Sequence, residues 1–269
     1  MNNKQSQYEI ITLGGNCGPR TLLTTWNLIP TKAKGRLSLP FDLSVHKISI
    51  DAQQIKDDFE NYLRGIRYGY KSGNRYYWTN FNDDVIYYHD FINNPDISKI
   101  EKRYTTRINN FRKLSKETDF VFFLVNCLED TTAQDLNELY EALKTYREKP
   151  FKLLVWQGAD IDSTQVNPEI KVLYKRGPAQ NGLSAWDKNR ELPQEEIDYK
   201  NALKQFVIEN IKNEGFDVQY FDLALKDKFK HYIKYDLPKA FTVTNNWVDN
   251  RKILVLFGKK FNLWKLPED

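Results

Sequence analysis

Apolar residues along this chain follow two periods. Residues 8–13 (YEIITL), 120–125 (FVFFLV), 151–156 (FKLLVW), 170–174 (IKVLY), 216–221 (FDVQYF) and 253–257 (ILVLF) are short apolar-rich runs. Such runs read as strands, and the most continuous of them as strands buried on both faces. Elsewhere apolar positions recur every three or four residues, the spacing of a helix with one buried face. That spacing predicts helices over about 20–27, from 49–51 to Gly65, from Ser98 through Leu114, over 133–146 and over 195–213. Ile48, Ala52, Ile55, Phe59 and Tyr62 share the buried face of the second; Ile100, Tyr104, Ile108, Phe111 and Leu114 share that of the third. Pro19 suits a first helical turn, where its missing N–H costs nothing. Ser98 and Glu101 read as a capping box, and Gly215 as the glycine that stops a helix.

Between Ile66 and Phe91 the pattern changes. Tyr, Trp and Asn dominate, with turn signals at Ser72-Gly73-Asn74 and Asn82-Asp83-Asp84. This stretch, about 66–91, reads as an aromatic-rich insertion of hairpin or irregular β structure. The remaining strand–helix alternation predicts an α/β fold, a single three-layer domain with a mostly parallel sheet. The Gly-, Asn- and Pro-containing loop from Arg176 to Pro193 separates similar signals, so residues 1–269 are read as one domain.

Composition narrows the picture. The chain has 269 residues, 41% hydrophobic and 28% charged, which excludes general disorder. Forty basic against 36 acidic residues leave a net charge of +4, interspersed and without a basic block, so no nucleic-acid partner is expected. No run approaches the roughly 20 apolar residues of a membrane span, and the N-terminal residues lack the apolar core of a signal peptide. The expectation is a cytoplasmic protein with no membrane span. With two cysteines and three scattered histidines, neither a disulfide framework nor a metal site is expected. No cofactor is expected.

That scarcity directs attention to LGGNCGPR, residues 13–20. Cys17 falls between the first strand and the first helix, at the strand's carboxyl end, where open α/β sheets bind ligands. A helix N-terminus carries partial positive charge and unpaired N–H groups. A thiolate there is stabilised, so a lowered pKa is expected. Gly15 and its neighbours would let backbone N–H groups serve as an oxyanion hole, with Asn16 as a further donor. The alternative is a small buried cysteine in a tight turn. The glycine pattern completes neither the phosphate-loop nor the dinucleotide fingerprint.

A nucleophilic thiol needs a base. His89, in VIYYHDF, ends a predicted strand, and it ranks above His46 and His231. Asp90 follows it, but neighbours on a strand point to opposite faces. Asp42, in LPFDLSV, is therefore the first choice to orient His89. The alternative for His89 is packing among Tyr87, Tyr88 and Phe91. Arg103 and Arg107 are four apart on one helix face and could clamp a carboxylate or phosphate. Asn126, beside Cys127, ends the FVFFLVN strand and could face the same crevice.

In this order, LGGNCGPR, LPFDLSV, YYHDF, KRYTTRINNF and FVFFLVN resemble an uncharacterised bacterial family labelled papain-like cysteine peptidases. The resemblance covers residues 1–126, roughly. Leu43 stands where family members often have Trp, and Lys102-Arg103 where they often have two arginines. The resemblance implies Cys17 as nucleophile, His89 as base, and Asp42 or Asp90 as the orienting acid. The strand preceding the cysteine looks more like an SGNH-type esterase, with Cys17 at the serine position, although a clear late Asp-x-x-His is missing. The family's tendency to accompany surface-glycan genes implies a glycan-linked substrate.

The expected function is a cysteine-dependent hydrolase or acyl transferase acting on a small-molecule, glycan or peptide substrate. Two alternatives stand beside it. The aromatic insertion with Arg64, Arg67 and Arg75 would suit a non-catalytic glycan- or anion-binding module. Arg103 and Arg107 holding a phosphate would suit a sugar transferase using an activated sugar.

Overall fold

The computed structural model describes residues 8–42, 44–72, 75–82, 85–87, 96–128, 130–177, 193–221, 241–246, 251–256 and 259–265. Two compact units divide the chain, residues 1–220 and 221–269.

The first unit is built on four parallel strands: β1 (Tyr8–Leu13), β5 (Phe120–Asn126), β6 (Phe151–Trp156) and the short β7 (Lys171–Val172), in the order β1-β5-β6-β7. Between β1 and β5 lie α1 (Gly18–Thr25), α2 (Ile48–Lys56), the strands β2 (Arg67–Ser72), β3 (Arg75–Thr79) and β4 (Ile86–Tyr87), and α3 (Ile97–Glu117). The strands of that insertion pair antiparallel in the order β2-β3-β4, as the aromatic-rich stretch predicted. Helix α4 (Ala133–Tyr146) joins β5 to β6, and α5 (Gln194–Asn213) follows β7.

Side chains alternate across the sheet and feed two cores. Ile11, Leu13, Val121, Phe123, Val125, Leu153 and Val155 pack with α2, α3 and α4. Ile10, Phe122, Leu124, Leu154 and Trp156 pack on the other face with α1 and α5. The FVFFLV run is thus continuous because both of its faces are buried.

Several sequence expectations change in the fold. The helix predicted to reach Gly65 stops at Lys56, because Asp58 and Phe59 turn left-handed, with φ of 46° and 65°. Each such residue costs about 1–2 kcal/mol. The turn swings Phe59 onto Phe41, Tyr62 and Phe111, and burying a large apolar side chain returns about 1.5–3 kcal/mol. Asp96, not Ser98, stands at the N-cap of α3, and the Ser98 hydroxyl bonds back to the Asp96 carboxylate at 2.6 Å. Residues 216–221 form no strand. Phe216 instead packs on Tyr8, Phe120 and Phe122, and the Gln219 N–H donates to the Tyr8 hydroxyl at 3.0 Å. Side-chain packing there takes the place of a sheet ladder.

The second unit contains a three-stranded antiparallel sheet of β8 (Phe241–Asn246), β9 (Arg251–Leu256) and β10 (Lys259–Lys265), with β9 central. The predicted strand at 253–257 lies here and not in the parallel sheet. A continuous apolar run does not reveal whether its neighbours are parallel or antiparallel.

Candidate active site at the carboxyl end of the sheet

Chains leaving the adjacent strands β1 and β5 diverge. The first enters α1 on one face and the second enters α4 on the other. Divergence of this kind opens a crevice at the carboxyl ends of two neighbouring strands. Gly14 to Cys17 form one lip of that crevice and Asn126 to Leu128 the other. They touch at the glycines. Gly14 adopts φ +81°, and a Cβ on Gly15 would lie 2.9 Å from the Asn126 carbonyl oxygen. The Asn126 backbone on one side and the Leu128 side chain, also at 2.9 Å, on the other leave that Cβ no room, which is why glycine stands there.

Cys17 is the N-cap of α1, and its backbone is already helical. Burial pushes its thiol up from the ordinary value, while its own backbone N–H and the Arg20 guanidinium pull the other way. The lowered thiol expected from a helix N-terminus is therefore not what the folded protein shows: desolvation outweighs the positive end of a short helix. The Asn16 side-chain oxygen accepts from the Gly18 N–H at 2.8 Å, so that N–H is engaged within the turn.

Asp42 is almost wholly buried beside β1. It accepts from the Thr12 hydroxyl at 2.8 Å and the Leu39 N–H at 2.8 Å, and pairs with Arg20 at 3.2 Å. These contacts use three of the roughly four acceptor positions of a carboxylate. Asp42 thereby holds Arg20, the cation that acts on Cys17. His89 and Asp90 lie outside the described residues.

Sequence reasoning missed the polar cluster beneath the glycine turn. His46 and Asp51 are both buried, with Nδ1 2.8 Å from Oδ1. That contact lies at ion-pair distance without hydrogen-bond alignment. Burial raises the Asp51 carboxyl, opposed by His46 and by the Gly14 backbone. His46 Nε2 meets the Ser44 hydroxyl at 3.0 Å, and Ser44 meets Tyr62 at 3.1 Å. His46 is thus hydrogen-bonded through Nε2 and paired at Nδ1 with Asp51, the acid on which the Gly14 backbone acts. One signal for this cluster was in the sequence. Asp51 is three residues from Ile48 and four from Ile55, so an acid sits on an apolar stripe and needs a partner.

Arg107 shows the same signal: it lies three residues after Tyr104 and four before Phe111. It is buried, whereas Arg103, one turn earlier, is exposed. The two arginines therefore do not present one clamp. The Arg107 guanidinium stacks over the Tyr104 ring at 4.4 Å. Its Nη1 and the Tyr104 hydroxyl are both buried without a hydrogen-bond partner.

Asn126 is 2% exposed, and its side-chain oxygen also lacks a partner. Beside it, burial lifts the Cys127 thiol to about 12, against a contact from the Thr131 hydroxyl. Such a thiol stays protonated and packs as a small apolar group. A groove of about 420 Å³ lies between α2 and α4 and is lined by none of the predicted site residues. Among the described residues no helix is long and apolar enough to cross a membrane, and no cluster of His, Cys, Asp or Glu could hold a metal ion. In comparisons with known proteins, no family model, curated protein or solved structure matches this chain.

Proposed function

We propose that the protein is a cysteine-dependent hydrolase or acyl transferase with Cys17 as nucleophile. The observation that carries this reading is the position of Cys17, capping α1 at the carboxyl end of β1, where the chains leaving β1 and β5 diverge. The Cys17 sulfur attacks a substrate carbonyl carbon and forms a thioester. His89 takes the thiol proton and returns it to the leaving group. Water or an acceptor hydroxyl or amine then attacks the thioester and restores the thiol. Because the resting thiol is pushed up by burial, the proton must leave as the sulfur attacks, which makes a general base essential. Asp42 holds Arg20, and the acid that orients His89 is Asp90 or the remaining acceptor position of Asp42. The Asn16 amide and the N–H groups of Gly15 to Cys17 serve the oxyanion. The resemblance favours a glycan-linked or peptide substrate.

An activated acyl ester, p-nitrophenyl acetate, tests this. Native protein should release a burst of nitrophenol and carry one acetyl group, mapped to the peptide containing Cys17. Cys17→Ala should lose both, and His89→Ala should slow acylation about 100-fold or more. If Cys17 alkylates readily with iodoacetamide yet takes no acetyl group from the ester, the reading fails.

A further inference from the structure

Among the described residues three arginines are more than nine-tenths buried; Arg147 is bonded through its whole guanidinium fork, Arg36 through both Nη atoms with only its Nε left over, and Arg107 differs from both. Arg36 lies against the free edge of β1, donating to the Glu9 carboxylate at 3.1 Å and the Ile10 carbonyl at 2.8 Å. Arg147 binds backbone carbonyls at the amino end of the sheet, among them Lys149 at 2.8 Å, Pro150 at 2.8 Å and Thr118 at 3.0 Å. Arg107 has neither kind of partner. No described carboxylate or carbonyl reaches it, and its Nη1 is buried and unbonded. An arginine does not escape burial by losing its proton, so a desolvated guanidinium calls for an anion. Burial raises the carboxyl of buried Asp51, and the groups that oppose this are His46 and Gly14, with Arg107 not among them.

The topology says where such an anion would sit. Helix α3 runs into β5 through Thr118 and Asp119, so its last turn lies at the amino end of the sheet. Its N-terminal half, with Tyr104, therefore rises to the carboxyl end, and Arg107 stands at its midpoint. Tyr104 stacks there on Tyr62 and Tyr87, and Tyr62 also feels the charges of Asp51, Arg107 and Asp42. Arg107 thus belongs to the same end of the sheet as the glycine turn. The Tyr104 hydroxyl lies beside it and acts on it without hydrogen-bond alignment, which leaves the hydroxyl proton free to donate.

We propose that Arg107 anchors an oxyanion subsite at the carboxyl end of the parallel sheet, taking a carboxylate or phosphate group of the protein's ligand. A planar guanidinium binds either group through paired N–H donors. The subsite deepens the acyl-transfer reading by giving its substrate an acidic group. It rests on that reading only for the identity of the ligand, because the binding itself needs no thiol chemistry.

Inorganic phosphate and acetate are the probes, titrated against sodium chloride at matched ionic strength and followed by thermal shift and calorimetry. Native protein and Cys17→Ala should both show saturable binding of at least one probe, and the preferred probe tells phosphate from carboxylate ligands. Arg107→Met should abolish the binding. Arg107→Lys, which keeps the charge and the fold but not the fork, should weaken it about tenfold or more. Binding absent from the native protein, or unchanged in both Arg107 variants, overturns the subsite. An acetyl group on Cys17 without anion binding overturns the subsite alone. Anion binding without acetylation overturns the acyl-transfer reading alone and leaves the subsite standing.

Discussion

The two ends of the parallel sheet treat a buried arginine in opposite ways. At the amino end, Arg147 is 3% exposed and bonds carbonyls of Ser115, Thr118, Asp119, Lys149 and Pro150. Those carbonyls belong to the end of α3 and the residues leading into β5 and β6, so one side chain ties three segments together. At the carboxyl end, Arg107 lies over the Tyr104 ring with its Nη1 buried and without a hydrogen-bond partner, and buried oxygens of Tyr104 and Asn126 accompany it in the same state. A satisfied polar group stabilises the fold modestly, whereas an unsatisfied one costs the full desolvation penalty. The first end is built for stability. The second carries a cost that stability alone does not explain, and unsatisfied polar groups of that kind are expected where a ligand binds.

The sharpest way to break this contrast is at Arg147. Arg147→Met strands several buried carbonyls, each worth about 1–3 kcal/mol when left unsatisfied. A loss of about 3 kcal/mol or more is expected in the urea midpoint. A loss under about 1 kcal/mol would mean the carbonyls find water, and the two ends would no longer differ.

Next in size is the glycine turn. Gly15→Ala drives a Cβ against the Asn126 carbonyl oxygen at 2.9 Å. Overpacking of that kind costs about 1–3 kcal/mol. Moving the lip that carries Cys17 should also lower the yield of acetyl-Cys17 at short times. Unchanged stability together with unchanged acylation would show that the lips are not in register.

The third test uses pH. The Cys127 thiol is near its ordinary value when unfolded and about 12 when folded. A raised folded value means its contribution is complete below the unfolded value and is lost as pH rises toward the folded one. Stability should therefore fall from about pH 8.5 upward by up to about 1.4 kcal/mol per pH unit from this group. Burial raises Cys17 as well, so the check is the difference between native protein and Cys127→Ala, in urea midpoints taken at about pH 8 and pH 10. An identical slope in the two proteins would place Cys127 in water.

The smallest effect is the most diagnostic. In anion-free buffer Arg107→Met should be neutral or stabilising by about 1 kcal/mol, because it replaces an unpaired buried charge with an apolar chain of similar length. Opposite signs for the two Arg→Met changes would establish the contrast between the ends; equal losses would erase it.

Much of the fold could be read from the chain. The strands at 8–13 and 151–156 and the helix at 133–146 have the predicted bounds. Their apolar periods are strong and their ends carry local signals, such as the Thr132–Asp135 capping box of α4. The misses share a cause. Residues 57–65 keep helical spacing, yet the aromatic cluster of Phe41, Phe59, Tyr62 and Phe111 gains more from a left-handed turn than from another helical one. Those four rings come from three separate segments, and local periodicity carries no information about such meetings.

The same division holds for the site. Sequence alone set Cys17 after the first strand and before the first helix, because a strand, a glycine turn and an N1 proline are local signals. The spacing also holds Asp51 and Arg107 on apolar helix stripes, a signal that the reading of Arg103 and Arg107 as one clamp passed over. Tertiary structure decided what those positions mean. It gave Asp51 to His46 and Asp42 to Arg20, raised the Cys17 thiol by burial against the expected helix effect, and left the Arg107 Nη1 without a hydrogen-bond partner. Periodicity places a charge inside, but only the neighbours brought by the fold determine whether that charge is answered.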